Sequence, residues 1–452
     1  MKRRLFLQGA AAAGLALMLP GSERKARADS KTYGGPYYVF LNAGGGWDPT
    51  SLCDPKGGKA GDRTTVNQSF DPSAIGSAGA IKYAPLSLTI TGKSGPVEVY
   101  SNKRFFDDHG PAFTVLNGVD TTTNNHDSGS RTTFCGQTQE GCPSLAALIA
   151  GVMNDRSGQS LPMPFLSYGG YDATFGVAPL TRAGSVGSLQ RLAYPNRMDA
   201  SKADSPTFHT TETMARIRAA QQDRVSAMQS QTLPYTQAAM SALFMARGSD
   251  AGLSRLADAL SATKLIDTHD VPDLASVGDQ LGDLTGLMQQ AQIALTAFQT
   301  GVAVTANLSV GGFDTHSNHD YAQTRALMVL LRGLDYLLTQ AKAMGLSDKI
   351  VIVVGSDFGR TPYYNSGNGK DHWNITSMLF SGPGITGGRV VGATDEGFKP
   401  LNVNPTSLAV DPSGVRVLTS SIHLALRRYA KIDGEALVQR FPLKGDALPL
   451  FG

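Results

Sequence analysis

Cysteine is scarce in this 452-residue chain: Cys53, Cys135 and Cys142 are the only three. At most one disulfide can form within the chain. Cys135 and Cys142 are close enough to staple a loop in an oxidising compartment, although geometry decides such a bridge. Beyond the N-terminus there is no apolar run approaching the ~20 residues that a membrane-spanning helix needs. Internal repeats and low-complexity tracts are also missing, so neither a solenoid nor a biased linker explains the length.

An excess of positive charge is missing too, once the N-terminus is set aside. Lys2-Arg3-Arg4 precedes Leu5-Phe6-Leu7, a short apolar stretch follows over residues 9–19, and Ala26-Arg27-Ala28 offers a small-x-small cleavage site. This pattern predicts a twin-arginine export signal over residues 1–28 and a periplasmic or secreted protein. That segment holds six of the 40 basic residues and one of the 37 acidic ones, leaving 34 against 36, a net charge of −2. A mature chain so balanced has no electrostatic reason to bind nucleic acid.

What is present is a large apolar fraction, 41%, and 51 glycines, which suits a loop-rich enzyme better than a helical bundle. Residues 37–42 read as a buried strand running into Gly44-Gly45-Gly46. Residues 55–110 read as irregular excursions. A second strand is expected over 112–119, followed by a polar loop over 121–130. Pro143-Ser144-Leu145 opens a helix, and 164–168 reads as another strand. Apolar residues at helical spacing then predict a helical insertion over about 207–300, among them Met214, Ile217, Val225, Met228, Ala239, Leu243, Leu253, Leu256 and Leu260. Strands over 302–310, 350–354 and 377–380 alternate with helices over 321–344 and 417–429. The expected fold is α/β: one domain over 29–452, with a mostly parallel central sheet and helices on both faces. In such sheets ligands gather beyond the carboxyl ends of the strands.

Three clusters of acids and imidazoles fall at those ends. Asp314 and His316 lie two residues apart, so an extended backbone points both to one face, where they suit a shared metal ion. His319 adds a third donor nearby. The competing reading is a capping Asp before the 321–344 helix. Asp357 leaves a run of five β-type apolar residues, as a ligand or as a simple turn residue. Arg360 beside it is suited to clamp an oxyanion or to pair with Asp357. Asp371 and His372 form the third cluster, with His372 completing a metal shell that Asp371 orients or joins. His126 follows the second strand among the hydroxyls of Ser128, Ser130 and Thr132, candidates for a nucleophile at a helix N-terminus. Asp48 and Asp54 compete for one ligand position near the first strand, and Asp48 is closer to its end. His109, His209, His269 and His423 have no acidic motif around them.

Several of these stretches carry a resemblance. Gly311 to His316, Asp357-Phe358-Gly359-Arg360-Thr361-Pro362, Asn365, Lys370-Asp371-His372-Trp373 and Gly387-Gly388-Arg389-Val390-Val391-Gly392-Ala393-Thr394-Asp395 resemble the exported domain-of-unknown-function family 1501. His126, Gly129, Gly136 and Pro143-Ser144-Leu145 are similar to further signatures of that family. Its members resemble alkaline phosphatases and sulfatases in fold. Here Asp357 replaces a Glu, Lys370 an Arg and Phe313 a Trp, while Ser51 falls where an earlier Asp is usual. Asp127-Ser128 resembles the Asp-Ser pair of alkaline phosphatases, and Phe358 stands where those enzymes carry a metal-binding His. Cys53-Asp54-Pro55 starts like the sulfatase formylglycine motif, but Gly57 replaces the required Arg.

The resemblance implies an exported, metal-dependent hydrolase of phosphate or sulfate esters, acting on a small-molecule or polysaccharide ester. Its cofactor would be a divalent metal: zinc, manganese or calcium. The expected ligands are Asp48, Asp314, His316, Asp357, Asp371 and His372, with Ser128, His126 and Arg360 in catalysis. The alternative is an exported binding or assembly protein that keeps the fold without the chemistry.

Overall fold

The computed structural model describes residues 32–451 apart from 94, 159–160, 183–184, 230–232, 234–235, 238–239, 241–249, 263–264, 268–269 and 272–283. The expected export signal, Ala239, Leu243 and His269 lie outside the described residues.

The first strand, β1 (Tyr37–Ala43), is buried along its whole length. Its side chains alternate between two cores, as a pleated strand covered on both faces requires. Tyr37, Val39 and Leu41 enter one core, and Tyr38 and Phe40 enter the other. Seven further strands complete the sheet: β2 (Thr114–Asp120), β3 (Phe165–Ser167), β4 (Leu180–Arg182), β5 (Thr305–Val310), β6 (Ile350–Ser356), β7 (Ile375–Ser381) and β8 (Arg389–Val391). Their order is β8-β2-β7-β6-β1-β5-β3-β4. The pairings run parallel except at β7, which is antiparallel to both β6 and β2. The fold is a mostly parallel α/β sheet.

Helices cover both faces. Leu287, Ala291, Leu295 and Phe298 of α5 (Gly286–Gln299) join Leu327, Leu331 and Leu334 of α6 (His319–Ala343) on the face of Val39. The face of Phe40 is covered by α2 (Leu145–Ser157) and α7 (Thr419–Tyr429) through Leu148, Ile149, Ile422 and Leu426. Each such Leu, Ile or Phe side chain contributes about 1.5–3 kcal/mol on burial. The remaining helices used below are α1 (His126–Cys135), α3 (Thr211–Gln229) and α4 (Asp250–Ser261).

Three expectations are refined. Residues 55–110 hold two hairpins (Gly76–Ala78 with Ile81–Tyr83, Ser87–Gly92 with Gly95–Ser101) and a helix, Asn102–His109. Short alternations such as Ser87-Leu88-Thr89-Ile90 are hard to see against so much Gly and Lys, yet Leu88, Val99 and Tyr100 reach the core. The helical stretch after residue 207 is uneven. In α3, Met214, Ile217 and Val225 stay half-buried, whereas Leu256 and Leu260 of α4 are buried and α5 lies within the main core. Cys135 and Cys142 are buried free thiols here, with the Cys142 Sγ 3.8 Å from the Cys135 carbonyl oxygen.

His423 is buried in α7 and donates from Nε2 to the Thr133 carbonyl at 2.8 Å. Complete burial pulls its pKa down to about 4. An unfolded His titrates near 6.5. Between these values the unfolded chain takes up a proton that the folded chain refuses, so stability falls as pH drops from about 6.5 to 4. The loss expected from this residue is on the order of 3 kcal/mol. Chemical denaturation at both pH values should show a shallower acid loss for His423→Gln; an identical loss would contradict the assignment.

Candidate metal centre

The parallel register sets three loops side by side. At the carboxyl end of β1, Ala43 is level with Val310 of β5 and with Ser356 of β6. The loops carrying Gly44 to Asp48, Gly311 to His316 and Asp357 to Arg360 therefore leave the sheet together. A short antiparallel ladder pairs Arg360 with His372, which returns the third cluster to the same edge. His126 arrives from β2 as the first residue of α1, with Asn125 capping the amides of Asp127 and Ser128.

Two glycines allow the loops to close. Gly45 has φ +118°, and a Cβ there would sit 2.5 Å from the Asp314 amide nitrogen. Gly46 has φ +84°, with the Phe358 ring 2.5 Å from the same notional atom. Only glycine meets both demands, the left-handed backbone and the close approach. The Ser356 hydroxyl accepts from the Gly46 and Trp47 amides at 3.1 and 2.8 Å and donates to the Ala43 carbonyl.

Asp314 is the hub, and its side chain is 49% exposed. Its Oδ1 lies 3.0 Å from His316 Nε2 and 3.3 Å from His372 Nε2, and its Oδ2 lies 3.5 Å from His126 Nε2. The His316 and His372 Nε2 atoms are 2.9 Å apart. Each imidazole is fixed from behind through Nδ1. His372 donates to the Asn124 carbonyl at 2.8 Å, His316 to Asp371 at 2.8 Å and His126 to Asp357 at 2.9 Å. A carbonyl only accepts, so the His372 proton is on Nδ1. Asp371 is held below the usual carboxylate range, first by its bond to His316, so it too accepts. Asp357 Oδ2 already accepts the Gly45 amide at 3.0 Å. Burial raises the Asp357 pKa, with His126 and Gly45 opposing.

With the Nδ1 positions protonated, all three Nε2 lone pairs face a carboxylate. A proton on one ring relieves one of these contacts; a divalent cation relieves them together. Burial also keeps His372 below the ordinary His value, favouring its neutral, ligating form. His126, Asp314 and His372 each place one ligand atom within 4.8 Å of the others, and His316 adjoins two of them. The residues fit a cation.

The other expected site residues take different positions. Asp357 and Asp371 stand behind His126 and His316 and orient them. Arg360 is wholly buried, and its nitrogens are spent on the Gly46 carbonyl at 2.8 Å, the Lys370 carbonyl at 3.0 Å, the Gly45 carbonyl and Asp314 Oδ1 at 2.7 Å. It therefore pins Asp314 instead of facing a substrate. Burial opposes the ionisation of Asp314, but the Arg360 bond and charge leave its pKa lowered. Ser128 Oγ pairs with Thr123 Oγ1 at 2.7 Å. Asp48 is fully buried against Lys370 and His319 and does not join the cluster. Asp54 is likewise engaged elsewhere, by Lys56 and Thr394.

Residues 37–409 match the family described as "Protein of unknown function (DUF1501)". The chain belongs to that family. No curated protein matches it in sequence. Among solved structures it is similar to the PsFucS1 sulfatase from Pseudoalteromonas sp., at 11% identity and TM-score 0.37 over 98% of this chain and 77% of that one. It is also similar to an alkaline phosphatase from the Antarctic bacterium TAB5, at 10% identity and TM-score 0.32 over 80% and 95% of the two chains. A phosphonate monoester hydrolase of Agrobacterium radiobacter follows at 12% identity and TM-score 0.31, over 88% and 74%. Identities and TM-scores this low leave the function to be read from the side chains.

Sequence patterns gave no sign of three supporting groups: the Asn124 carbonyl, the Gly45 amide, and Gln323, which ties the Asp48 amide to the Phe313 carbonyl. The first two are backbone atoms. Asn365 lay within the motif, and its role is to bond Asp371 at 3.2 Å and the His316 carbonyl at 3.0 Å. Weakening the support behind one imidazole should show in cation affinity. Asp357→Asn is expected to lower zinc affinity roughly 10- to 100-fold, measured by chelator competition, with the fold intact. Unchanged affinity would mean that His126 does not depend on Asp357 for its alignment.

Proposed function

We propose that this chain is an exported metal-dependent hydrolase of phosphate or sulfate esters, of the alkaline-phosphatase-like kind. The convergence of the His126, His316 and His372 Nε2 atoms on the Asp314 carboxylate carries this reading. Export rests on the twin-arginine pattern, and no helix among the described residues is long and apolar enough to cross a membrane.

A nitrogen-rich donor set suits zinc better than manganese or calcium, which prefer oxygen ligands. Asp314, His126, His316 and His372 would hold the ion. When bound, it would supply Lewis-acid stabilisation of charge on the ester's tetrahedral centre. The chain's own residues do the positioning. Asp357, Asp371 and the Asn124 carbonyl fix the imidazole tautomers, and Arg360 fixes the Asp314 carboxylate. With its side chain about half exposed, Asp314 presents the centre to solvent, which suits a bulky ester such as one on a polysaccharide.

A second reading has its own support. Among the described residues no hydroxyl or thiol bonds to the cluster, which favours a binding or assembly protein that retains the fold. Elemental analysis after metal-replete expression, combined with a panel of aryl phosphates and sulfates, separates the two. The hydrolase reading predicts bound metal near stoichiometry and turnover of at least one ester class. His372→Ala should lose the metal and reduce turnover on the order of 10²-fold or more, the scale of one lost transition-state contact. Absence of metal and turnover in the wild-type chain would support the non-catalytic reading.

A further inference from the structure

Beside the centre, three segments distant in sequence are bound into one rim. The Tyr364 hydroxyl donates to Asp320 Oδ1 at 2.7 Å and accepts the Gln68 amide at 3.2 Å. Gln68 Nε2 in turn donates to Asp320 Oδ2 at 2.8 Å and to Asn368 Oδ1 at 2.9 Å. Gly369 packs so closely on His316 that a Cβ there would lie 1.9 Å from the His316 carbonyl oxygen. Residues 61–68, 316–320 and 361–371 are therefore fixed against each other next to His316 and Asp371.

Two side chains on this rim face solvent. Tyr363 is 56% exposed, and among the described residues its hydroxyl and ring have no bonding or stacking partner. Its carbonyl accepts from Thr361 Oγ1 at 2.9 Å, and the same oxygen accepts the Asp371 amide at 3.1 Å, which ties Tyr363 to the acid behind His316. Arg63 is also exposed, and its Nη2 donates to the carbonyl of Asn365, whose side chain bonds Asp371 at 3.2 Å. Among the described residues no carboxylate pairs with Arg63. The adjacent Asp62 turns back on Thr64, accepting its amide and hydroxyl at 3.0 and 2.7 Å. Arg360 and Lys370 are spent on Asp314 and Asp48, so the charge of Arg63 is the one this side of the centre leaves to a ligand. A guanidinium anchored through one nitrogen keeps its other N–H groups for an oxyanion. An exposed tyrosine ring offers a flat apolar face with a polar tip.

We infer that Arg63 and Tyr363 form a substrate subsite for an anionic polysaccharide. Tyr363 packs on the C–H face of a sugar ring next to the one bearing the ester, and Arg63 pairs with that ring's sulfate or carboxylate. The inference rests on the reading that the ester is bound at Asp314, and it narrows the substrate to esters within a charged chain. Both residues act in binding, and neither touches the reacting atoms.

The test uses the full chain at saturating zinc. Binding to immobilised dextran sulfate, chondroitin sulfate, polygalacturonate and neutral dextran is measured beside turnover of aryl phosphates and sulfates. Wild type should bind at least one anionic chain and not neutral dextran, and the sulfate and carboxylate chains tell which anion is read. Arg63→Gln should weaken that binding roughly tenfold, a loss that shrinks as salt is raised, and Arg63→Lys should restore part of it. Tyr363→Ala should weaken it roughly three- to tenfold at low and high salt alike. Aryl ester kcat/KM should stay at the wild-type value in all three variants, because an aryl ester carries no second sugar. No preference for any anionic chain, or wild-type binding by Arg63→Gln or Tyr363→Ala, overturns the inference, while aryl ester turnover decides the hydrolase reading separately. The expected binding pattern on a chain without turnover keeps the subsite and removes the hydrolysis. An equal loss of binding and of aryl ester turnover would make the rim a support for the centre and contradict the inference.

Discussion

The direction of three ring protons governs the site. With Nδ1 of His126, His316 and His372 committed to Asp357, Asp371 and the Asn124 carbonyl, the opposite nitrogens have only lone pairs to offer. They offer them to Asp314, itself a carboxylate held ionised by Arg360. Aligned lone pairs facing an anion repel unless positive charge enters. The fold maintains that arrangement with bonds from several separate segments, a geometry that could hold a metal ion. Remove the acceptors behind the rings and the imidazoles can turn their N–H groups inward, satisfying Asp314 without any ion.

Two buried cations make the arrangement possible. Arg360 threads between the Gly45 and Gly46 carbonyls and reaches Asp314, while Lys370 neutralises Asp48 a few residues along the same glycine loop. Buried charges persist only when paired and hydrogen-bonded. Both cations meet this condition by bridging segments that are distant in sequence, from residue 45 to residue 370. The parallel register of β1, β5 and β6 provides the rigid floor; the cations organise the loops above it. Rigid strands below and charge-bridged loops above are what a site needs for ångström-level placement.

Much of this was legible in the sequence for definite reasons. The alternating strands and helices follow from apolar runs such as Ile350 to Val354 and from the periodicity of α6, so the parallel sheet was readable. Asp314, His316 and His126 were readable because each follows a strand end, and His372 because it stands beside Asp371 in a glycine-rich stretch that a surface charge face does not explain. The division of labour among the acids was not readable. Asp48, Asp357 and Asp371 look alike as acids in loops near strand ends, and only three-dimensional pairing separates an ion-paired carboxylate from one that orients a ring. Arg360 reads as an oxyanion clamp until its complete burial is seen. Ser128 was a candidate from its helix position and from the likeness of Asp127-Ser128 to an Asp-Ser pair, and its bond to Thr123 could not be read from spacing. The hairpins within 55–110 were hidden because their strands, three to seven residues long, run through stretches rich in Gly, Ser and Lys.

The central claim is that imidazole nitrogens, backed by Nδ1 acceptors, converge with Asp314 on one cation. X-ray absorption spectroscopy of the zinc-loaded protein addresses it most directly, since outer-shell scattering from imidazole rings distinguishes His ligands from carboxylates and waters. The account predicts a nitrogen- and oxygen-rich shell near 2.0–2.1 Å with two or three imidazoles in the wild-type chain, and the loss of that signal in His372→Ala. A shell of oxygens alone, or a zinc spectrum unchanged by that substitution, would contradict it.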